Sequence, residues 1–278
     1  MFGKICVVGA GYWGKNHIKT LYELGLLGGI VEENSKILKR FSNYNISLYK
    51  RLDEALENDN LLGFTVATPA ETHFMIAKKI IKAEKHVLVE KPFVMSVKEA
   101  EDLIALADQN NVNLMVGHLL LFHPAIIKIK ELIASGKIGN LKYIYSNRLN
   151  FGKIRNKENV LWNLAPHDFS IFQYLIESYP KKIQANGSLL LKGKIFDSVI
   201  TNLEYPNGIS GHVYSSWLHP FKEHRLVVIG SKGMIVFEDS SNNKLLKFYN
   251  KKAPSKWRLF LRLFSKKLHH AAHAAHAA

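Results

Sequence analysis

The first 117 residues alternate between short apolar runs and segments with helical spacing, and this alternation restricts the fold more than any other feature of the sequence. The segments 71–83 and 96–110 are typical of helices, and the apolar runs between helical segments are typical of strands. The predicted strands are 5–8, 29–32, 62–67, 87–89 and 113–116. Because strands separated by helices lie parallel, we predict an α/β domain over residues 1–117 with helices on both faces of its sheet.

The pattern changes after Val116, where strand-like runs follow one another with few helices between them. Pro206, Asn207 and Gly208 separate two of these runs and are typical of a hairpin turn. Residues 118–250 are therefore predicted to form a second, α+β domain with a largely antiparallel sheet. Its predicted helices are 124–134 and 166–177, and its predicted strands are 140–151, 183–191, 196–205, 209–217, 222–230 and 233–237.

A glycine turn joins the first predicted strand to the first helix. Its GxGxxG glycines are Gly9, Gly11 and Gly14. Glycines at this spacing permit a tight turn and a close approach to a pyrophosphate, which the helix N-terminus attracts. Glu32 ends the next strand, 23 residues after Gly9, where a carboxylate binds ribose hydroxyls and disfavours a 2′-phosphate. We therefore predict a Rossmann domain, a doubly wound parallel sheet, that binds NAD in preference to NADP, although Lys36 and Arg40 weaken that preference.

The net charge of +15 comes in part from the end of the chain. Residues 251–278 carry seven lysines and arginines and no acid, which leaves +8 on the rest. That remainder lacks the aromatic and zinc-finger patterns of nucleic-acid-binding domains, and an excess of this size also suits an enzyme of anionic substrates. We therefore expect a small-molecule partner, no nucleic acid and no bound metal ion.

The end of the chain has two unusual segments. Residues 251–268 form a basic, amphipathic tail, and 269–278 repeat His and Ala in the manner of an engineered purification tail. An amphipathic helix of this kind packs on its own protein or a partner subunit more often than on a membrane, so weak membrane-surface contact ranks second. The single cysteine, Cys6, fits a protein of the reducing cytoplasm, and no apolar run is long enough to span a bilayer.

Lys91 follows the predicted strand 86–90 and stands between Glu90 and Pro92. Ligands of such sheets bind beyond the carboxyl ends of the strands, so Lys91 is expected beside the cofactor. A cation there can orient a substrate hydroxyl and stabilise negative charge on its oxygen. The alternative is a Glu-Lys pair on a solvated turn. The bond before Pro92 can also adopt the cis form.

Three stretches, "GAGYWGKNH" (9–17), "ATPAETH" (67–73) and "VLVEKPFVMSVKEAEDL" (87–103), resemble the Gfo/Idh/MocA oxidoreductases in order and spacing. The resemblance implies that Lys91 is a catalytic or substrate-orienting residue. It also implies a cofactor site made by these motifs and by Glu32, the acid that ends the second predicted strand. The implied cofactor-binding residues are Gly9, Gly11, Tyr12, Trp13, Gly14, Glu32, Thr68, Pro69, His73, Glu90 and Lys91.

The same resemblance implies a second catalytic group, and "ENVLWNLAPHDFSIFQYL" (158–175) supplies His167 for it. Pro166 suits the first turn of a helix, so His167 is expected near a helix N-terminus, where the dipole favours a neutral imidazole that can act as a base. Family members typically carry an acid four residues earlier, but this chain has Asn163, which cannot take a proton. We therefore expect Lys91 and His167 to be catalytic, with Asn163 orienting a hydroxyl or the histidine.

A finer resemblance links "GHLLLFHPA" (117–125) and "YSNRLNFG" (145–152) to the nucleotide-sugar 3-dehydrogenases of bacterial surface-polysaccharide pathways. It implies oxidation of the 3-hydroxyl of UDP-N-acetylglucosamine or of its uronic acid. Arg148 suits a carboxylate or diphosphate because its fork pairs bidentately with such groups. The implied substrate-binding residues are His118, His123, Arg148, Asn150, Trp162 and Asn163.

Two alternatives to this function remain open. Asn163 is compatible with a regulatory relative that binds NAD and a sugar without turnover. The chain could also act on a free sugar or a polyol rather than on a UDP-sugar. We further expect a homo-oligomer, a dimer or tetramer, because the second domain has exposed sheet faces.

Overall fold

The computed structural model describes residues 3–152, 158–191, 193–243 and 245–251. Within this range the chain divides into two compact units, the first ending at Leu119 and the second beginning at Leu120. The predictions for residues 252–268 and for the histidine-rich segment 269–278 fall outside the described residues.

The first unit contains a six-stranded sheet with the order β3-β2-β1-β4-β5-β6, in which every neighbouring pair is parallel. Its strands are β1 (Lys4–Val8), β2 (Leu27–Val31), β3 (Ser47–Tyr49), β4 (Leu61–Val66), β5 (His86–Val89) and β6 (Leu114–Val116). Its helices are α1 (Gly14–Glu23), α2 (Ser35–Leu38), α3 (Leu52–Leu56), α4 (His73–Lys82) and α5 (Val97–Gln109). This strand order and direction confirm the predicted doubly wound Rossmann sheet.

The central strands of this sheet are buried on both faces, which explains their continuous apolar runs. Val7, Val66 and Val89 are fully buried, and so is Cys6. Burial raises the pKa of the Cys6 thiol to about 12, so this cysteine is an inert core residue. The sequence prediction missed β3, a three-residue edge strand that is too short and too exposed to show a strand pattern.

The second unit contains a seven-stranded mixed sheet with the order β13-β12-β11-β7-β10-β9-β8. Its strands are β7 (Leu141–Phe151), β8 (Lys182–Ser188), β9 (Ser198–Glu204), β10 (Ser210–Ser216), β11 (Leu218–Gly230), β12 (Met234–Glu238) and β13 (Leu246–Tyr249). Its helices are α6 (Pro124–Ala134), α7 (Val160–Leu164) and α8 (Pro166–Ile176). The pair β7–β10 is parallel and the other neighbouring pairs are antiparallel, which confirms a largely antiparallel sheet.

The predicted hairpin joins β9 to β10. Asn207 and Gly208 have φ angles of 62° and 72°, a backbone region that these two residue types tolerate better than most. Helices α6 and α8 contribute Ile126, Ile129 and Phe172 to the core of this unit. The sequence prediction missed the short helix α7 and the strand β13. In the described parts of the chain, every helix is too short or too polar to cross a membrane.

Asp197 lies in the loop before β9 and is 3% exposed. Its carboxylate accepts hydrogen bonds from Trp217 Nε1 at 2.8 Å and from the backbone N–H groups of Leu190 and Leu191 at 2.9 Å. Burial alone would raise the pKa of Asp197, but these hydrogen bonds outweigh it and hold the pKa below its usual value. The charged carboxylate therefore stabilises the fold of the second unit.

We expect Asp197→Asn to destabilise the protein by about 1–3 kcal/mol at pH 7, because three donors lose a charged acceptor. A group with a lowered folded-state pKa contributes stability above its unfolded pKa, and this contribution is lost as the pH falls through the folded value. Urea denaturation should therefore show a full difference between variant and wild type at pH 7 and a smaller one below about pH 4. Asp108→Asn, on the exposed side of α5, is the control. A difference that is independent of pH would show that the charge of Asp197 is not the cause.

Candidate functional site

The glycine turn follows β1 and leads into α1, as predicted. Gly9 has a φ angle of +91°, and a Cβ on Gly14 would lie 1.9 Å from the carbonyl oxygen of Gly9, so both positions require glycine. A Cβ on Gly11 would meet none of the described atoms within 4 Å. The turn is therefore open at Gly11, where a phosphate can approach the backbone, and closed at the other two glycines.

Glu32 follows β2, and its carboxylate bridges the glycine turn and the loop before α2. One oxygen accepts the backbone N–H of Ala10 at 2.9 Å and the other accepts that of Asn34 at 2.9 Å. These bonds fix the carboxylate beside the turn. Its position fits the predicted contact with ribose hydroxyls.

The N-terminus of α1 supplies the remaining part of a dinucleotide site. Trp13 is its N-cap residue, and within the described residues no side chain caps the first turn. The N–H groups of Lys15 and Asn16 bond to the carbonyl oxygens of Gly11 and Trp13, but the positive end of the helix dipole still favours phosphate oxygens there. Tyr12, beside the open glycine, is 91% exposed. The turn, the carboxylate and this helix end together fit NAD, which supplies a hydride acceptor when it is bound.

The turn after β4 contains Thr68 and Pro69 and lies at the same edge of the sheet. The hydroxyl groups of Thr68 and Thr72 are 2.7 Å apart, and Thr72 also bonds to the carbonyl oxygen of Pro69. His73, a predicted cofactor contact, is 1% exposed. Its Nδ1 lies 2.9 Å from the carbonyl oxygen of Pro92 and its Nε2 lies 2.9 Å from that of Thr68. Both ring nitrogens therefore face backbone carbonyls, and the ring holds two turns together instead of facing a ligand.

Lys91 lies two residues after the end of β5, at the carboxyl edge of the sheet, and its bond to Pro92 is cis. Glu90 before it is 5% exposed. One carboxylate oxygen of Glu90 accepts Nε1–H of Trp13 at 2.6 Å and lies 2.7 Å from Nε2 of His17. The predicted cofactor residues Trp13 and Glu90 thus bind each other. They connect the turn that carries Lys91 to the first turn of α1.

Sequence reasoning gave His17 no role. The signal that could have found it is its spacing, because His17 lies four residues after Trp13 and so shares a helix face with it. His118, which follows β6, has a half-buried ring whose Nδ1 is buried without a hydrogen-bond partner among the described residues. Burial lowers the pKa of His118, and the charge of Glu90 offsets part of this effect. A neutral ring with an unused nitrogen remains compatible with the predicted substrate contact.

In the second unit, Asn163 lies on α7 and His167 lies in the first turn of α8, one residue after Pro166. The predicted placement of His167 near a helix N-terminus is therefore confirmed. Both side chains are half-buried, and Trp162 is 42% exposed. Asn159 accepts the backbone N–H of Trp162 and caps α7, which explains why a helix begins there.

Arg148 was predicted to bind a carboxylate or diphosphate of the substrate, but the structure gives its fork a different partner. Its Nε donates to Asp168 at 2.6 Å and its Nη2 donates to the same carboxylate at 3.0 Å. Ser146 also donates to this carboxylate. Arg148 is 8% exposed and Asp168 is 2% exposed, so this is a buried ion pair. The pair links β7 to α8 next to His167, and the geometry favours a structural role for Arg148. Sequence reasoning had no means of pairing it with Asp168.

His123 and Asn150 differ in what they offer a substrate. His123 accepts the backbone N–H of Ala125 through Nδ1 at 3.1 Å and so caps α6, which leaves Nε2 as its ring donor. The side-chain oxygen of Asn150, near the end of β7, is buried without a hydrogen bond to any described residue. A buried acceptor of this kind is suited to a ligand hydroxyl. Asn150 therefore fits its predicted role better than His123 does.

His224, in β11, was not among the predicted site residues. It lines a small cavity together with His123, Arg148 and Asp168. Burial, with the nearby charges of Arg148 and Lys222, lowers the pKa of His224 to about 4. This ring is therefore neutral at physiological pH. Among the described residues, no group of three or more His, Cys, Asp or Glu side chains could hold a metal ion.

Comparison with known proteins follows the same division of the chain. Residues 3–118 match the description "Oxidoreductase family, NAD-binding Rossmann fold", and residues 126–236 match the Gfo/Idh/MocA C-terminal domain. The UDP-N-acetylglucosamine 3-dehydrogenase of Acidithiobacillus ferrooxidans is 27% identical over 183 residues, which are 65% of this chain and 56% of that protein. The scyllo-inositol 2-dehydrogenase (NAD(+)) of Bacillus subtilis is 26% identical over 194 residues, 66% of this chain and 56% of that protein.

The chain thus spans little more than half the length of these two relatives. The fold also resembles the crystal structure of GenD2 from gentamicin A biosynthesis in complex with NAD, with a TM-score of 0.82 and 25% identity over 92% of this chain and 78% of that one. The two matched regions together cover most of the described residues. The chain therefore belongs to the Gfo/Idh/MocA family of oxidoreductases and contains the family's NAD-binding Rossmann domain.

Proposed function

We propose that the chain is an NAD-dependent dehydrogenase that oxidises a hydroxyl of a nucleotide sugar, namely C3 of a UDP-N-acetylhexosamine or of its uronic acid, for surface-polysaccharide synthesis. The observation that carries the proposal is the position of Lys91 at the carboxyl end of β5. There it is tied through Glu90 to the first turn of α1, the helix that follows the glycine turn. A cation at this place is close to where the NAD-binding turn would deliver its ligand.

Two side chains carry the proposed chemistry. His167 accepts the proton of the substrate hydroxyl, and Lys91 donates a hydrogen bond to the same oxygen and stabilises its developing negative charge. Bound NAD would supply the acceptor for the hydride of the same carbon, so that the alcohol would become a ketone with its hydroxyl proton on His167. Asn163 orients the hydroxyl or the imidazole, since an amide binds both but takes no proton.

The choice of substrate rests on the motifs at residues 117–125 and 145–152 and on a relative that is a UDP-N-acetylglucosamine 3-dehydrogenase. The positive charge of the chain without its tail, +8, is consistent with an anionic substrate. Other relatives are inositol dehydrogenases, so oxidation of a free polyol or sugar is the second candidate within the enzymes.

Product analysis tests this proposal. The protein is incubated with NAD and, separately, with UDP-N-acetylglucosamine, its uronic acid, free N-acetylglucosamine and myo-inositol, and each product is reduced with borodeuteride. We expect deuterium at C3 of a UDP-linked sugar. Deuterium in inositol alone, or alone at a carbon of the free sugar other than C1, would instead favour a polyol or free sugar as the substrate. The carbon C1 is excluded because borodeuteride labels the reducing end of a free sugar without enzyme.

A sensor that binds NAD and sugar without turnover is the candidate from another class, and Asn163 is the feature that favours it. Isothermal titration separates it from an enzyme. Tight NAD and sugar binding with no enzyme-dependent label in any substrate would support the sensor, and a label that appears only with the protein would exclude it.

The preference for NAD is testable at Glu32. We expect Glu32→Gln to weaken NAD binding about tenfold, since the ribose hydroxyls lose a charged acceptor, and to improve NADP binding relative to NAD. Fluorescence titration with both dinucleotides measures the two affinities. Glu33→Gln, an exposed acid one residue later, is the matched control. Equal losses for NAD and NADP would show that Glu32 does not discriminate the ribose.

A further inference from the structure

Glu90 is a buried acid that the proposed chemistry does not use. Its carboxylate has three partners within the first unit. One oxygen accepts Nε1–H of Trp13 at 2.6 Å and pairs with Nε2 of His17 at 2.7 Å, and the other accepts the backbone N–H of Lys91 at 3.2 Å. The side chain of Glu90 is 7% exposed and that of His17 is 24% exposed. Removing a donor from a buried carboxylate is costly, because the charge is then left without a partner.

The carboxylate is ionised at neutral pH. Burial alone would raise the pKa of Glu90, but the hydrogen bonds from His17 and Trp13 outweigh burial, and the pKa lies below its usual value. Gly117 closes the other side, because an added Cβ there would lie 3.1 Å from the carboxylate. The space around Glu90 is therefore shaped for this one side chain in its charged form.

The three partners of the Glu90 carboxylate come from two separate parts of the first unit. Trp13 and His17 belong to the start of α1, directly after the glycine turn, whereas Lys91 belongs to the turn after β5. Glu90 joins the two turns through side-chain bonds on one side and a main-chain bond on the other. A carboxylate held by three donors cannot rotate freely, so the backbone of Lys91 is fixed relative to α1.

We propose that Glu90 is a positioning residue for Lys91, and that Trp13 and His17 hold it in place. Glu90 accepts the backbone N–H of Lys91 at 3.2 Å and so fixes the backbone from which the Lys91 side chain extends. This inference deepens the proposed function and rests on it, because Lys91 matters only if it serves the reaction or binds the substrate.

Kinetics of matched variants test the role. Glu90→Gln keeps the shape and removes the charge, and His17→Leu removes one donor, whereas His17→Gln can still donate from an amide at a similar reach. We expect Glu90→Gln and His17→Leu to lower kcat about tenfold or more, while the Kd for NAD changes less than about threefold. A misplaced reacting group slows the chemical step more than it weakens the binding of the cofactor. His17→Gln should recover most of the rate. Glu101→Gln, an exposed acid on α5, should behave as wild type.

The indole N–H resonance of Trp13, assigned with Trp13→Phe, reports on the network itself. A hydrogen bond to a carboxylate moves this proton downfield, so Glu90→Gln should shift it upfield. A resonance that does not move would show that the bond is absent in solution and would overturn the proposal. His17→Leu provides a second test if Glu90→Gln does not fold, because His17 is partly exposed and the substitution leaves Glu90 in place.

Failure of this inference is distinguishable from failure of the proposed function. If wild type turns over a sugar but Glu90→Gln and His17→Leu keep its kcat, the positioning role is wrong and the enzyme assignment stands. If wild type turns over no sugar, the enzyme assignment fails. The positioning of Lys91 is then tested by the rate at which trinitrobenzenesulfonate modifies its amine, measured by peptide mass spectrometry. Glu90→Gln should change the rate of this modification at least about threefold, because the backbone that carries the Lys91 side chain is then no longer held by the carboxylate. An unchanged rate would overturn the inference.

Discussion

Lys91→Ala is expected to lower the rate of hydride transfer by about 10²- to 10³-fold, because the oxygen of the substrate loses the cation that stabilises its developing charge. The affinity for NAD should stay within about threefold of wild type, since the phosphates and the ribose are expected to be bound at the glycine turn and Glu32. Stopped-flow absorbance of NADH measures the rate, and fluorescence titration measures the affinity.

Lys98→Ala is the matched control for this experiment. Lys98 is an exposed lysine on α5 that pairs with Asp102 at 3.2 Å, and its loss should leave both quantities unchanged. If Lys91→Ala abolished NAD binding instead, Lys91 would belong to the cofactor site and not to the chemistry. If it lowered neither quantity, Lys91 would take no part in the chemistry or in cofactor binding.

His167→Asn is expected to lower the same rate by about 10²- to 10⁴-fold, which is the range that a positioned general base contributes. Asparagine is similar in size and can still accept and donate a hydrogen bond, but it cannot take the hydroxyl proton. NAD affinity should again be unchanged. The rate of NADH formation in a single turnover is the measurement.

His219→Asn provides the control, because His219 lies in the same unit and its ring bonds to the carbonyl oxygen of Phe221. A normal rate in His167→Asn would remove His167 from the mechanism and would direct attention to His118, whose buried Nδ1 has no partner among the described residues. A loss of folded protein in His167→Asn but not in His219→Asn would point to a structural histidine.

The fold was largely predictable because its signals are local. Alternation of apolar runs with helical segments led to the parallel sheet, and Pro206, Asn207 and Gly208 led to the hairpin. Elements without such signals were missed. The strand β3 is three residues long and lies at the edge, and the parallel pairing of β7 with β10 joins residues that are distant in sequence. Periodicity carries no information on which distant strands pair.

The candidate site was predictable where a motif determines the local backbone. The glycine turn, Glu32 and the first-turn position of His167 are of this kind. Partnerships between distant side chains were not predictable. Arg148 is 20 residues from Asp168, and Glu90 is 77 residues from Trp13. Separations of this size follow no helix or strand period, so the sequence could not predict either contact. For this reason Arg148 was predicted to bind an anionic group of the substrate, whereas the structure pairs it with Asp168.

The central claim is that this chain transfers a hydride from a nucleotide sugar to NAD. The most direct test is NADH formation in a single turnover, with protein in excess over UDP-N-acetylglucosamine or its uronic acid, read by the near-ultraviolet absorbance of the reduced nicotinamide. A single turnover detects NADH even if it is not released. We expect a burst with a UDP-sugar, a much smaller one with the free sugar, and none with Lys91→Ala. Proven NAD binding with no burst from any sugar would show that the chain does not carry out this reaction.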